Sequence, residues 1–276
     1  MKAVPHRLLV LGGGPAGVEL AQVVSRLGGQ AVLVEASERV LAREPAPLGE
    51  ALGEALRREG IELFLGVHAT SARRDGEDYV LELDDGREVR GDHLLVATGR
   101  RPRVGDRLWA IGDVNGLWPL THVGEYEGEI VAPNILGEPR EAHYEAVPRV
   151  VYTDPQAAAV GAGEARFSAT AALSAVSKTA TYTHTYAESN GFLTLVSDGE
   201  RVTGAYALGP EAGEWLQQAT LAIRARVPLE VMNDTIQPFP SFSEIYATAL
   251  KALRREISYG RQPVGQEPGG AATVSR

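Results

Sequence analysis

The chain has 276 residues, 44% hydrophobic, 23% charged and 6% aromatic, with a formal net charge of -9 at pH 7. That length suffices for two modest domains or one large one, and the acidic balance argues against a broad nucleic-acid surface. There is no cysteine, which excludes disulfides, thiolate metal sites, Fe–S clusters and a dithiol redox centre within this chain. No apolar run approaches the roughly 20 residues of a membrane span. The opening MKAVPHRLLVLGGG has no cleavage pattern of a signal peptide, and its apolar run reads as a strand. These features predict a soluble, cytoplasmic protein.

The first hundred residues alternate strand and helix signals. Arg7–Leu11 is a short apolar run that ends in the glycine loop Gly12–Gly14. Pro15 stands where a helix can start without losing a hydrogen bond. Val18, Ala21, Val24 and Leu27 then recur at helical spacing, and Gly28-Gly29 stops the helix. Ala31–Val34 is a second buried strand, ending at Glu35. Leu48–Arg58 predicts a second helix and Ile61–Leu65 a third strand. Tyr79–Leu83, the turn Asp84-Asp85-Gly86 and Glu88–Val89 predict a β-meander. Leu94–Ala97 is another buried strand before Thr98-Gly99. This alternation implies a parallel sheet with helices packed on its faces.

Farther on, Leu108–Ile111 reads as a strand running into Gly112-Asp113, and Tyr126–Leu136 as a helix that Pro133 interrupts. Strands are expected at Arg149–Tyr152, Phe192–Ser197 and Arg201–Leu208. Helices are expected at Ala212–Arg226, before Pro228, and from about Ser243 to Arg255. The segment Gly260–Arg276 is rich in Gly, Pro, Gln and Ser and reads as a loose, disordered tail.

Gly12-x-Gly14-x-x-Gly17 has the form of a dinucleotide fingerprint, with Gly13, Pro15 and Ala16 completing the loop. Gly12 permits the tight turn, Gly14 lets backbone N–H groups approach a pyrophosphate, and Gly17 lets helix and strand pack closely. The helix N-terminus adds unpaired N–H donors and partial positive charge. Glu35 lies 18 residues beyond Gly17, at the end of the next strand, placed to accept both adenosine ribose hydroxyls. Its charge repels a 2′-phosphate and favours NAD over NADP, although Arg39 and Arg43 close by can reverse that preference.

The segments LVLGGGPAGVELA, VEASERVL, EALRREGIELFLG and LLVATGRRP, in this order, resemble the NAD-binding domain of the flavin-dependent pyridine nucleotide–disulfide oxidoreductases, of dihydrolipoamide dehydrogenase and mercuric reductase type. LWAIGDV resembles the segment that closes back onto that family's flavin domain. VPRVVYTDPQAAAVG, GFLTLVSDGERVTGAYALGPEA and PFPSFSE resemble its C-terminal interface domain. The resemblance runs to about residue 258. It implies an α/β protein: a Rossmann-like NAD(H)-binding domain with a β-meander at 1–104, a flavin-domain remnant at 105–146, an α+β dimerisation-type domain at 147–258 and a tail at 259–276.

Three departures bear on function. The family's N-terminal FAD domain has its own fingerprint, whereas this sequence has one, with NAD-type surroundings; the resemblance therefore implies that the flavin domain and its cysteine pair are missing. Only RPRVGDR separates Gly99-Arg100 from LWAIGDV, a shorter connection than is usual in the family. In PFPSFSE, Phe239 stands where disulfide reductases of the family place an acid–base histidine, and Glu244 remains at the position of the orienting glutamate. Phenylalanine moves no proton. Glu244 is then expected to make a helix-start or interface contact.

The resemblance adds Gly99, Gly112 and Asp113 as cofactor contacts, Asp113 on the ribityl chain of a flavin; the alternative is an ordinary turn aspartate beside Asn115. His122 with Glu125, and His143 with Glu141 and Glu145, show no third ligand, so no metal site is expected. No catalytic residue is assigned. Trp109, Trp118 and Trp215 read as packing residues, and Arg100-Arg101-Pro102-Arg103 as a solvated loop or a cofactor-phosphate contact rather than a nucleic-acid patch. The leading expectation is an NAD(P)H-linked flavoprotein oxidoreductase with a non-disulfide acceptor. It would take NAD(H), and FAD either itself or through a separate flavin-domain partner, and form a homodimer. The alternatives are a non-catalytic NAD(H)-binding or dimerising module and a truncated remnant. A remnant would expose apolar surface around residues 108–136.

Overall fold

A computed structural model describes residues 3–102, 109–176 and 190–260. The first sheet is parallel, in the order β3-β2-β1-β7, built from β1 (Arg7–Leu11), β2 (Gln30–Glu35), β3 (Glu62–Leu65) and β7 (His93–Val96). Helix α1 (Pro15–Arg26) links β1 to β2, and α2 (Ala46–Arg58) links β2 to β3. An antiparallel meander follows, made of β4 (Ala69–Asp75), β5 (Asp78–Leu83) and β6 (Glu88–Gly91).

The period-two alternation of the strands divides the core. Leu8, Val10, Ala31 and Leu33 point to the side of α1 and α2, where Val18, Ala21, Val24, Leu48, Leu52 and Leu56 meet them. Leu9, Val32 and Val34 point the other way, onto Leu81, Leu83 and Val89 of the meander. Helices therefore cover one face of the parallel sheet and the meander covers the other, which corrects the expectation of helices on both faces. The sequence of β4, ATSARRD, is polar and its side chains are nearly all exposed, so no alternation announced it.

Residues 109–111 form no ladder, so the strand expected at Leu108–Ile111 is not present; Leu108 lies outside the described residues. A 3-10 turn at Gly112–Asn115 leads into α3 (Thr121–Ile135), which begins five residues earlier than expected. Pro133 is accommodated inside the last turn of that helix.

The second sheet is antiparallel, in the order β10-β11-β12-β9-β8, with β8 (Arg149–Val151), β9 (Gln156–Gly161), β10 (Phe167–Ala172), β11 (Phe192–Ser197) and β12 (Val202–Gly209). β9 and β10 were not foreseen, because QAAAVG and FSATAA carry mostly small side chains. The helix expected at Ala212–Arg226 is broken into α4 (Ala212–Trp215) and α5 (Gln217–Arg224), followed by the unforeseen α6 (Leu229–Asp234). α7 (Ile245–Gly260) extends past the expected end at Arg255 and takes in Tyr259 and Gly260; the rest of the expected tail lies outside the described residues.

One face of the second sheet, through Ala158, Val160, Leu193, Leu195, Ala205 and Ala207, packs on α4–α7. The opposite face, through Ala157, Ala159, Val196, Tyr206 and Leu208, shares a core with α1, α2 and the parallel sheet. The layers run meander, parallel sheet, α1–α2, second sheet, α4–α7. Among the described residues, no helix is long and apolar enough to cross a membrane.

Candidate functional site

The glycine loop sits at the carboxyl edge of the parallel sheet. β1 lies between β2 and β7 there, so the chain leaves β1 toward one neighbour while the other strand arrives from the opposite side. Open α/β sheets bind ligands in the crevice at such a point. Each fingerprint glycine has its own spatial reason. Gly12 has φ +110°, and a β-carbon on it would lie 2.6 Å from the carbonyl oxygen of Ala97. A β-carbon on Gly17 would lie 2.0 Å from the carbonyl oxygen of Gly12, so α1 and β1 meet only because Gly17 has none. A β-carbon on Gly14 would meet nothing within 4 Å. No packing contact of the protein therefore requires glycine at Gly14, and the space its side chain would enter at the start of α1 is open.

That helix start has no side-chain cap. Pro15 has no N–H to satisfy, while Ala16 and Gly17 lie in the first turn, where a helix offers no acceptor of its own. The result is an uncapped set of donors and the positive end of the helix dipole beside the open space at Gly14.

Glu35, half-buried at the end of β2, turns its carboxylate to this loop. The Gly13 N–H donates to Oε2 at 2.6 Å and the Ser37 N–H donates to Oε1 at 2.8 Å. Each oxygen keeps a lone pair for a hydroxyl donor. The loop after β2 closes back on the fingerprint, with the Leu41 N–H donating to the Gly13 carbonyl at 2.9 Å. Arg39 donates to the Ala42 carbonyl at 3.1 Å, so its guanidinium is bonded within its own loop.

Gly99, with φ +101° and open space around it, follows β7 at the same edge of the sheet. Arg100 reaches Asp113 at 3.3 Å and so joins this edge to the Gly112–Asp113 turn. Asp113 itself is exposed. The residue that shapes its turn is Glu127 of α3, which the sequence did not single out. Buried to 3% exposure, its carboxylate accepts from the Gly112 N–H at 2.6 Å, Asn115 Nδ2 at 2.7 Å and the Tyr144 hydroxyl at 2.9 Å. Burial, reinforced by that bond to Glu127, pushes the Tyr144 hydroxyl up to about 12. No periodic signal marks Glu127; only the return of α3 onto the turn brings it there.

Glu244 closes a capping box with Ser241 at the 3-10 turn Phe242–Glu244, the helix-start role expected of it, and Phe239 is 75% exposed. Trp215 is buried and donates to the Pro210 carbonyl, whereas Trp109 is 63% exposed, which corrects its reading as a packing residue. Trp118 lies under the Arg149 guanidinium. His122 Nε2 is 2.9 Å from the Pro148 carbonyl, and His143 approaches Glu145. Among the described residues, no three His, Asp or Glu side chains gather where a metal ion could be held.

Comparison with known proteins now decides the family. The model of the pyridine nucleotide-disulphide oxidoreductases matches residues 1–108, and that of the same family's dimerisation domain matches residues 147–250. The chain belongs to the pyridine nucleotide–disulphide oxidoreductase family. The family relatives include a dihydrolipoyl dehydrogenase of Chlamydia muridarum, 29% identical over 92% of this chain and 62% of that protein. A mercuric reductase of Streptomyces lividans is 30% identical over 94% of this chain and 62% of its own. Among solved structures, LpdA of Mycobacterium tuberculosis superposes with a TM-score of 0.78 at 24% identity, over 91% of this chain and 62% of that one. The HOCl-induced flavoprotein disulfide reductase RclA of Escherichia coli gives 0.79 at 23% identity, over 91% and 66%. These structures share the fold. The chain spans about three fifths of the length of the curated relatives it matches.

Proposed function

We propose that this chain is the NAD(H)-binding and dimer-forming part of a flavoprotein oxidoreductase whose acceptor is not a disulfide. Residues 1–104 hold the dinucleotide, 105–146 form a flavin-facing segment and 147–258 form the dimer interface. The observation that carries the reading is the open space at Gly14 beside an uncapped helix start, with the Glu35 carboxylate bound to the adjoining Gly13. A pyrophosphate takes the N–H groups of Gly14, Ala16 and Gly17. The adenosine ribose hydroxyls donate to Glu35, whose charge keeps a 2′-phosphate away.

A bound flavin would take hydride from the nicotinamide and pass electrons to the acceptor. Asp113, an acceptor carboxylate on a turn clamped by Glu127, suits the hydroxyls of a ribityl chain. The chain has no cysteine, and Phe239 precedes Pro240 where disulfide reductases of the family place a histidine, so it offers no thiol of its own and no imidazole at that position. Oxygen, a quinone or a dye-like molecule fits better. Trp109, Leu117, Ile135 and Leu136 are each at least 60% exposed; this is the apolar surface expected of a truncated remnant, and it equally suits a separate flavin-bearing partner. The second reading, a non-catalytic NAD(H)-binding and dimerising module, draws on the same Phe239 and the same lack of thiols.

Calorimetric titration with NADH tests the site. Gly14→Val places its side chain in open space at φ -74°, a conformation valine accepts, so the fold holds while the pyrophosphate position is filled. NADH binding by the parent and its loss in a folded Gly14→Val variant support the reading. Equal affinity in both defeats it. The visible spectrum with added FAD and NADH separates the two readings: a flavin band that bleaches supports the oxidoreductase, and a protein that takes up no FAD leaves the binding module.

A further inference from the structure

Both walls of the glycine loop are gripped by one short segment, β8 and the turn that follows it, residues 149–154. On one side it holds α1. The Tyr152 N–H donates to Glu19 Oε1 at 2.8 Å. One turn on, Gln22 is buried to 4% exposure and pairs with the backbone of Asp154 in both directions. Its Nε2 donates to the Asp154 carbonyl at 2.8 Å, and its Oε1 accepts the Asp154 N–H at 2.9 Å. The side-chain amide thus acts as a strand residue would toward its neighbour. Its other proton reaches Glu59 Oε1 at 3.1 Å. Another turn on, Arg26 donates to Asp154 Oδ2 at 2.9 Å and forks onto Glu59. Positions 19, 22 and 26 share one face of the helix.

On the other side the segment holds the loop after β2. Arg149 forks onto the Glu44 carboxylate at 2.9 and 3.0 Å, with the two side chains only 19% and 15% exposed. That loop returns to the fingerprint through the Leu41 N–H and the Gly13 carbonyl.

We propose that residues 149–154 position the dinucleotide site, with Gln22 as the central positioning residue, so that nucleotide binding and ordering of the β8–β9 edge are linked. The inference rests on the proposed NAD(H) site and adds the coupling to it. α1 cannot tilt without breaking the Gln22–Asp154 pair, and the post-β2 loop cannot move without breaking the Glu44–Arg149 pair. A ligand that fixes the start of α1 therefore also tightens the segment, and by linkage the segment raises affinity for the ligand.

Amide hydrogen exchange with and without NADH, on the full chain, tests this. NADH is expected to slow exchange at Tyr152 and Asp154, in the turn between β8 and β9, outside the sheet that forms the nucleotide crevice. Gln22→Met, close in volume but unable to pair with both groups of Asp154, is expected to lose that added protection and to weaken NADH by on the order of fivefold. Arg26→Met, at a half-exposed position and so safe for folding, is expected to reduce both effects partially. A parent that binds NADH with no change in exchange over 149–154 overturns the inference and leaves the nucleotide site standing. So does a folded Gln22→Met that keeps the parental protection and affinity. A parent that binds no NADH overturns the site itself, and the coupling with it.

Discussion

The Gly13 N–H donates to Glu35 Oε2 at 2.6 Å, so the residue expected to select the ribose also fixes the middle of the glycine loop. The two roles separate by experiment. Glu35→Ala is expected to weaken NADH by about 1–3 kcal/mol through lost charge-assisted hydrogen bonds. NADPH should hold its affinity or gain, because the repelling charge is gone. Equal weakening of both nucleotides in calorimetry would leave Glu35 with the loop-fixing role alone.

Gly17→Ala is expected to destabilise the fold, although alanine is the better helix former. The new β-carbon would lie 2.0 Å from the Gly12 carbonyl oxygen, which is backbone and cannot swing away. Overpacking against a fixed atom costs about 1–3 kcal/mol or more, against a helix-propensity gain of about 1 kcal/mol. Urea denaturation of Gly17→Ala and Gly14→Ala side by side checks this. Gly14→Ala, whose β-carbon meets nothing, should not lower stability.

Removing the Glu127 carboxylate leaves the Gly112 N–H, Asn115 Nδ2 and the Tyr144 hydroxyl without their acceptor. The three donors are half-buried, so each costs toward the low end of about 1–3 kcal/mol when unpaired, and Glu127→Ala should open the turn at 112–115. Limited proteolysis is expected to cut there first in the variant. Tyr144→Phe removes one donor and leaves the others paired, and should be much milder.

Acid should erase the contribution of Asp92. Burial disfavours its charge, but the N–H donations from Arg7 and His6 outweigh this and hold the carboxyl below its ordinary 3.8. Its folded-state pKa is depressed, so the stability it adds is present above the unfolded value and lost as pH falls through the folded one. Asp92→Asn should cost about 1 kcal/mol at pH 7, toward the low end because the side chain is 35% exposed. The gap between parent and variant in urea melts should close below pH 3.8. A gap that stays constant to lower pH would refute the assignment.

The α/β class, the meander hairpin of β5 and β6, and the grouping of Gly12, Gly14, Gly17 and Glu35 were legible because their signals are local. A strand buried on both faces is a run such as AVLV, and a fingerprint is a fixed spacing. β4 and β9 were illegible for opposite reasons. β4 is an exposed polar strand held by its ladder to β5, and β9 is an alanine run whose small side chains leave room for neighbouring layers. The break between α4 and α5 has no glycine or proline to mark it.

The glycine loop and its place between β1 and α1 were readable from the sequence alone, because close backbone approach selects glycine residue by residue and leaves a spacing behind. Tertiary structure alone decided what holds that site in place. Glu127 reaches its turn only when α3 folds back. Gln22 finds Asp154, and Glu44 finds Arg149, across more than a hundred residues of chain. Such pairs depend on how two sheets pack around α1 and α2, and a polar side chain meeting a distant backbone leaves no period in the sequence to read.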